Sequence, residues 1–121
     1  MIQNALELLH GNETALVVYT DGHALDLDAA DGKAFTAWWR LAEHRTPDKV
    51  IIYLTNPEDK SAEVYLADYV SKERRPSDNR SKVYLARVEL AGETIASWTA
   101  FVNGAKGMRS PLRYLSTSSV R

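Results

Sequence analysis

The sequence predicts an α+β fold: a small, strongly bent antiparallel β-sheet or β-barrel with two flanking helices. Three observations lead there. Apolar residues recur at helical spacing in two places within the first 44 positions. From residue 49 onward, short β-rich runs follow one another. These runs are joined by turn residues and not by helices, which disfavours a doubly wound parallel sheet. At 121 residues the chain has the size of one domain, expected to span 1–121.

Ile2, Ala5, Leu6 and Leu9 fall at i, i+3, i+4 and i+7, predicting an N-terminal helix over 1–10 that Gly11 ends. Ala15 to Thr20 is β-rich, Asp21-Gly22 follows, and His23 to Asp28 alternates. This predicts a β-hairpin over 15–28. Asp31 is placed to cap a second helix over 33–44, with Phe35, Trp38, Trp39 and Ala42 on one face, and Thr46-Pro47 ends it. Both tryptophans are thereby assigned to the core. Antiparallel strands are expected through 49–116: Lys49 to Thr55, Ala62 to Ser71, Lys82 to Leu90, Thr94 to Val102 and Leu112 to Ser116. The polar stretch 72–81, interrupted by Pro76, reads as a loop. The tail 117–121 reads as frayed.

Composition excludes several classes. With 45% hydrophobic and 26% charged residues the chain is an ordinary globular sequence, and zero cysteines remove disulfides, thiolate metal sites and a cysteine nucleophile together. No apolar run reaches the roughly 18 residues of a membrane span, and residues 1–10 lack the features of a secretory signal, so a cytoplasmic protein without membrane contact is expected. Charge is segregated. Residues 1–32 hold six acids and no base, while residues 71–121 hold ten bases against four acids, a distribution that suits an anion-binding face in the C-terminal half.

Specific chemistry is sparse. Asp26, Asp28 and Asp31 resemble a calcium loop, but the fifth, sixth and twelfth positions from Asp26 are Ala30, Asp31 and Ala37, so the ligand pattern fails. His10, His23 and His44 lie on separate elements without metal-ligand spacing, and no metal or cofactor is expected. His23 is assigned to a turn. Phosphate-loop, dinucleotide and serine-hydrolase motifs are absent, and no constellation supports catalysis.

What remains is basic and aromatic. Arg74, Arg75, Arg80 and Lys82 cluster around residues 72–82, and Tyr65 and Trp98 sit on predicted strands nearby. Trp98 stands out because its strand neighbours on that face, Ala96 and Ala100, are small. Cations for phosphates and rings for bases are what nucleic-acid binding requires.

The runs Asp48-Lys-Val-Ile-Ile-Tyr-Leu-Thr55, Ala62-Glu-Val-Tyr-Leu-Ala-Asp-Tyr-Val-Ser71 and Lys82-Val-Tyr-Leu-Ala-Arg-Val-Glu-Leu90 resemble the PUA-like superfamily, especially its EVE and ASCH branches, over about residues 33–102. The resemblance implies a bent barrel with flanking helices whose cleft binds RNA or a modified DNA base. The expected function is therefore nucleic-acid binding, with Arg74, Arg75, Arg80 and Lys82 on phosphates and Trp98 and Tyr65 stacking on bases. The alternative is a protein-interaction domain, of inhibitor or immunity type, that presents its acidic N-terminal hairpin to a basic partner.

Overall fold

The computed structural model describes residues 1–41, 46–56, 58, 61–104 and 110–116. Among these residues 54% are strand and 8% helix. The strands are β1 (Thr14–Thr20), β2 (Leu25–Asp26), β3 (Ala34–Trp39), β4 (Lys49–Thr55), β5 (Ala62–Arg75), β6 (Arg80–Thr94) and β7 (Leu112–Ser116). They form one open, mixed sheet in the order β2-β3-β6-β5-β4-β1-β7. Every pairing is antiparallel except β1 with β4, which run parallel, Ala15 beside Lys49 through Thr20 beside Leu54.

The α+β expectation with two flanking helices is thus corrected to a mostly β fold with one short helix, α1 (Trp98–Phe101), and the barrel to an open sheet. The expected helix over 33–44 is strand β3 as far as residue 39, and residues 42–44 lie outside the described residues. Phe-Thr-Ala-Trp-Trp is rich in β-formers, and pairing with β6 decides between two periods that a short apolar run satisfies equally. The N-terminal helix contracts to a 3-10 turn, Ala5–Leu8, held by a capping box between Asn4 and Glu7. The hairpin over 15–28 does not form. Asp21-Gly22 does turn the chain, but β1 pairs with β4 and β7, and β2 pairs with β3 at the far end of the sheet.

Two further corrections concern the basic region. The loop expected over 72–81 is mostly ladder: Lys72 faces Val83 and Arg75 faces Arg80, leaving a four-residue turn over 76–79. Thr94 to Val102 is not a strand, because β6 ends at Thr94 and Ser97 caps α1. Strands β4 and β7 occupy the expected residues, and the tail 117–121 lies outside the described ones.

Why the sheet bends follows from β1 and β4. Ala15, Leu16, Val17 and Val18 are all buried, as are Val50, Ile51, Ile52 and Tyr53, so both faces of this pair must be covered. On one face Ala15, Val17, Ile51 and Tyr53 pack under the 3-10 turn and α1, with Phe101 and Val102 fully buried among them. On the other face no helix packs among the described residues. There Leu16, Val18, Val50 and Ile52 pack against Ala34, Ala67, Val83 and Leu85 of β3, β5 and β6, so the sheet arches over its own centre.

Bulges permit the arch. The β5–β6 ladder shifts register at Val64/Tyr65, Leu66/Asp68 and Tyr69/Ser71, and each extra residue sharpens the local bend. Gly92 lies at the first shift with φ +152°, where a Cβ would come within 3.2 Å of Ile2 Cδ1. Ile2 in turn donates its amide to the Glu93 carbonyl at 2.9 Å, tying the N-terminal segment across the bulge. Asp68 holds the second shift: its carboxylate accepts from Lys49 of β4 and Arg87 of β6, and Lys49 foremost lowers its pKa. Among the described residues no helix is long and apolar enough to cross a membrane.

Leu16→Ala, which hollows the face covered only by the arch, is expected to cost about 2–5 kcal/mol of unfolding free energy in a urea titration. Val70→Ala, at a side chain 45% exposed, is expected to stay within about 0.5 kcal/mol of the parent.

Candidate functional site

The arch carries the tip of the β5–β6 hairpin to the C-terminal ends of β1 and β4, and a cleft of about 1000 Å³ opens between them. Its floor and walls come from segments far apart in sequence: Tyr19 of β1 with Asp21 and His23 beyond it, Trp38 and Trp39 of β3, Tyr53 of β4 with Asn56 beyond it, and Arg75 and Arg80 of the hairpin.

Each wall is set locally. Tyr19 and Tyr53 are register partners on adjacent parallel strands, and their rings stack at 5.5 Å between centroids. Burial, with Tyr19 beside it, raises the Tyr53 phenol above its ordinary pKa, and its hydroxyl donates to the Ala96 carbonyl at 2.6 Å. Beyond Thr20 the chain turns as the Asp21 carboxylate accepts the His23 amide at 3.1 Å. Ala24 then adopts φ +49° and its carbonyl accepts the Ala37 amide at 3.0 Å, pinning this turn to β3. A left-handed alanine is held by its surroundings and not by its own preference.

On β3 the ladder to β6 slips between Thr36 and Trp39. Trp39 Nε1 donates to Thr36 Oγ1 at 3.0 Å, and its ring joins the cluster under the arch. Trp38 meets Arg75, whose guanidinium lies 4.2 Å from the ring centroid. Nε and Nη2 of Arg75 also donate to the two oxygens of Asp78, and Asp78 accepts the Arg80 amide at 3.1 Å, closing the turn over 76–79. Arg75 above all, then the Arg80 amide, hold the Asp78 carboxyl down at about 2. The Arg80 side chain is 45% exposed, with Nε 4.0 Å from the same carboxylate.

The cationic and aromatic pattern continues away from the cleft. Strand alternation puts Arg75 and Glu73 of β5 on one face with Arg80, Lys82 and Tyr84 of β6. Lys82 Nζ lies 4.1 Å from the Phe35 centroid and 5.1 Å from that of Tyr84, and the Tyr84 hydroxyl donates to Glu73 at 3.1 Å. Three of the expected phosphate-binding residues, Arg75, Arg80 and Lys82, therefore share a face. Arg74 points to the opposite one, where it borders a smaller recess with Arg40.

The two expected stacking residues are not brought together. Trp98, on α1, sits edge-on to Tyr19 and Tyr53 at 5.6 Å and donates Nε1 to the Ser110 carbonyl at 2.8 Å. Tyr65 lies on the other side of the sheet, packed against the cluster under the arch, its phenol pKa raised by burial and then by Glu63. Tyr19, His23 and Trp38, by contrast, line the cleft without having been singled out for it. The available signal was the Trp38-Trp39 doublet, which in a strand sends one ring to each face. Of the acidic N-terminal residues, Asp26 accepts the Asp28 amide and Asp31 the Arg87 amide. Among the described residues no group of three or more histidines and carboxylates is arranged to hold a metal ion. His44 lies outside them.

Comparison with protein-family models, characterised proteins and solved structures finds no match to this chain.

Because the folded pKa of Asp78 lies below its ordinary 3.8, the order it gives the hairpin tip is complete above about pH 4 and is lost as pH falls through 2. A carboxyl ¹³C titration should place its midpoint near 2. In Arg75→Gln the midpoint should rise toward the ordinary value. An unmoved midpoint would show that Arg75 does not hold this carboxylate.

Proposed function

We propose that the protein binds a single nucleic-acid strand along the cation–aromatic face of the β5–β6 hairpin, with the cleft at its end receiving bases. The observation that carries this reading is the pairing of two of the three cations on one face with rings: Arg75 on Trp38, and Lys82 near Phe35 and Tyr84. Stacked bases need exposed ring faces, and phosphates need cations at the same spacing, so interleaving the two lets a strand use both without a sequence code.

The chemistry is consistent atom by atom. A guanidinium has five N–H donors. Asp78 occupies Nε and Nη2 of Arg75, so the remaining donors are available to a phosphate while Asp78 fixes the plane of the group. Arg80 supplies a second charge directly across the ladder. In the cleft, Tyr19 and Trp38 offer rings while Asp21, His23 and Asn56 offer polar side chains toward base edges. Around the hairpin tip, residues 71–82 hold five bases against two acids, Glu73 and Asp78, a local excess that favours an anionic strand.

The test is a fluorescence titration with single-stranded RNA and single-stranded DNA at two or more salt concentrations. Arg75→Gln with Arg80→Gln should weaken binding and flatten the plot of log K against log salt by about 1.4, two phosphates' worth for a single strand. Trp38→Ala should cost about 1–3 kcal/mol of binding with the unfolding curve kept. Silence from both nucleic acids at low salt would overturn the reading. A protein partner for the acidic segment would then be tested with Asp26→Asn and Asp28→Asn.

A further inference from the structure

The two central parallel strands end side by side. Thr20 lies beside Leu54 in the register, and Thr55 Oγ1 donates to the Thr20 carbonyl at 3.4 Å. The residues that follow, Asp21 and Asn56, therefore leave the sheet at the same place, and both line the cleft. Local hydrogen bonds fix what each presents. Asp21 Oδ1 accepts the His23 amide at 3.1 Å, and Gly22, at φ +104°, donates its amide to Thr20 Oγ1 at 3.1 Å, so the carboxylate is held on a closed turn. Its Oδ2 takes no hydrogen bond from the described residues. Asn56 Oδ1 accepts the Glu58 amide at 3.0 Å, which leaves the two Nδ2 donors for a ligand.

The cleft thus sets an acceptor, Asp21, and a donor, Asn56, against the cations Arg75 and Arg80 of the hairpin tip. Tyr19, 38% exposed, and Trp38 supply rings to the same space. A nucleotide with its phosphate on the guanidiniums and its base on either ring has its base edge toward Asp21 and Asn56. In a single strand that edge is the unpaired Watson–Crick edge. Guanine carries two adjacent donors there, N1–H and the N2 amine, which match the two oxygens of a carboxylate. Cytosine and adenine set their amine beside a ring-nitrogen acceptor, and uracil flanks its N3–H with carbonyls, so each turns a lone pair against the second carboxylate oxygen. Asn56 Nδ2 is the complementary donor for guanine O6.

We propose that the cleft is a guanine-selective pocket for one base of the bound strand, with the Asp21 carboxylate on N1–H and the N2 amine and Asn56 on O6. This rests on the reading given under the preceding heading and deepens it. The cation–aromatic face holds any strand, and the cleft adds one position at which the base matters.

The experiment is a fluorescence-anisotropy titration of an end-labelled oligouridylate of about eight nucleotides, within known single-strand site sizes, against the same strand carrying one internal guanine, inosine, adenine or cytosine. With the unaltered protein the guanine strand should bind about tenfold more tightly than the plain one, within the range of a bidentate base contact, and adenine and cytosine should give no gain. Inosine keeps N1–H and O6 but lacks the amine, so it should lose most of the guanine advantage. Asp21→Asn keeps an oxygen for the His23 amide and removes the second acceptor, and it should bind guanine and uracil strands alike. A carboxylate that acts only by repelling phosphates behaves differently: in the variant every strand would tighten equally and the preference for guanine would persist, which overturns the assignment. If the variant does not fold, the inosine comparison decides, because equal affinity for guanine and inosine overturns the paired contact. Equal affinity of the unaltered protein for every strand refutes the pocket while the face stands. If no strand binds at low salt, both fall.

Discussion

Covering both faces of the parallel β1–β4 pair is the constraint on which the rest of the structure depends. Two runs of four residues in this pair are buried, and among the described residues helical cover, the 3-10 turn and α1, lies on one side only. The other side is covered by the sheet itself, and this requires bulges in the two longest strands. The arch then fixes where the hairpin tip ends up, so the position of Arg75 and Arg80 over the ends of β1 and β4 is a consequence of core burial. A requirement of hydrophobic packing has, in this way, built the cleft.

The ion pairs and aromatic contacts divide along the same line. Asp68 with Lys49 and Arg87 stitches three strands at a bulge, where the carboxylate side chain is only 20% exposed. Its role is structural. Arg75 and Asp78 sit at the exposed tip, and an exposed pair contributes little to stability. What the tip pair does is hold a guanidinium over the Trp38 ring. Tyr19, Tyr53, Trp98 and Phe101 form the complementary aromatic group on the helix-covered side, and Tyr19 and Tyr53 also line the cleft.

Local patterns were legible in the sequence, and pairings were not. Lys49 to Thr55 and Leu112 to Ser116 read directly as strands because continuous apolar or alternating runs have few other solutions. Asp21-Gly22 read correctly as a turn, but a turn does not name the partner of the strand before it. That partner lies 34 residues on, in β4, and was chosen by burial. Phe35, Trp38 and Trp39 satisfied a helical spacing by accident of a doublet, and the error moved both tryptophans into a helix core when only Trp39 packs inward. At the site, the charge asymmetry revealed Arg75, Arg80 and Lys82. The rings they meet, Trp38 and Phe35, were hidden by the misread element, and Tyr19 and His23 could be joined to them only by knowing the arch. Trp98 stood out for its small neighbours, but the two differ in the structure: Ala96 packs with Trp98 against the helix-covered core, and Ala100 is on the exposed side of α1.

The outermost strands of this sheet are short: β2 has two residues and β7 five. A long, flat edge offers unpaired amides and carbonyls as a template on which another chain can add a strand, the first step toward aggregation. Here the two longest strands, fourteen and fifteen residues, are placed inside the sheet and twisted by bulges, and the margins are left to segments too brief to seed growth. At a net charge of only −1, where mutual repulsion between molecules gives little protection, it is this placement that keeps the backbone groups of the longest strands paired within the chain.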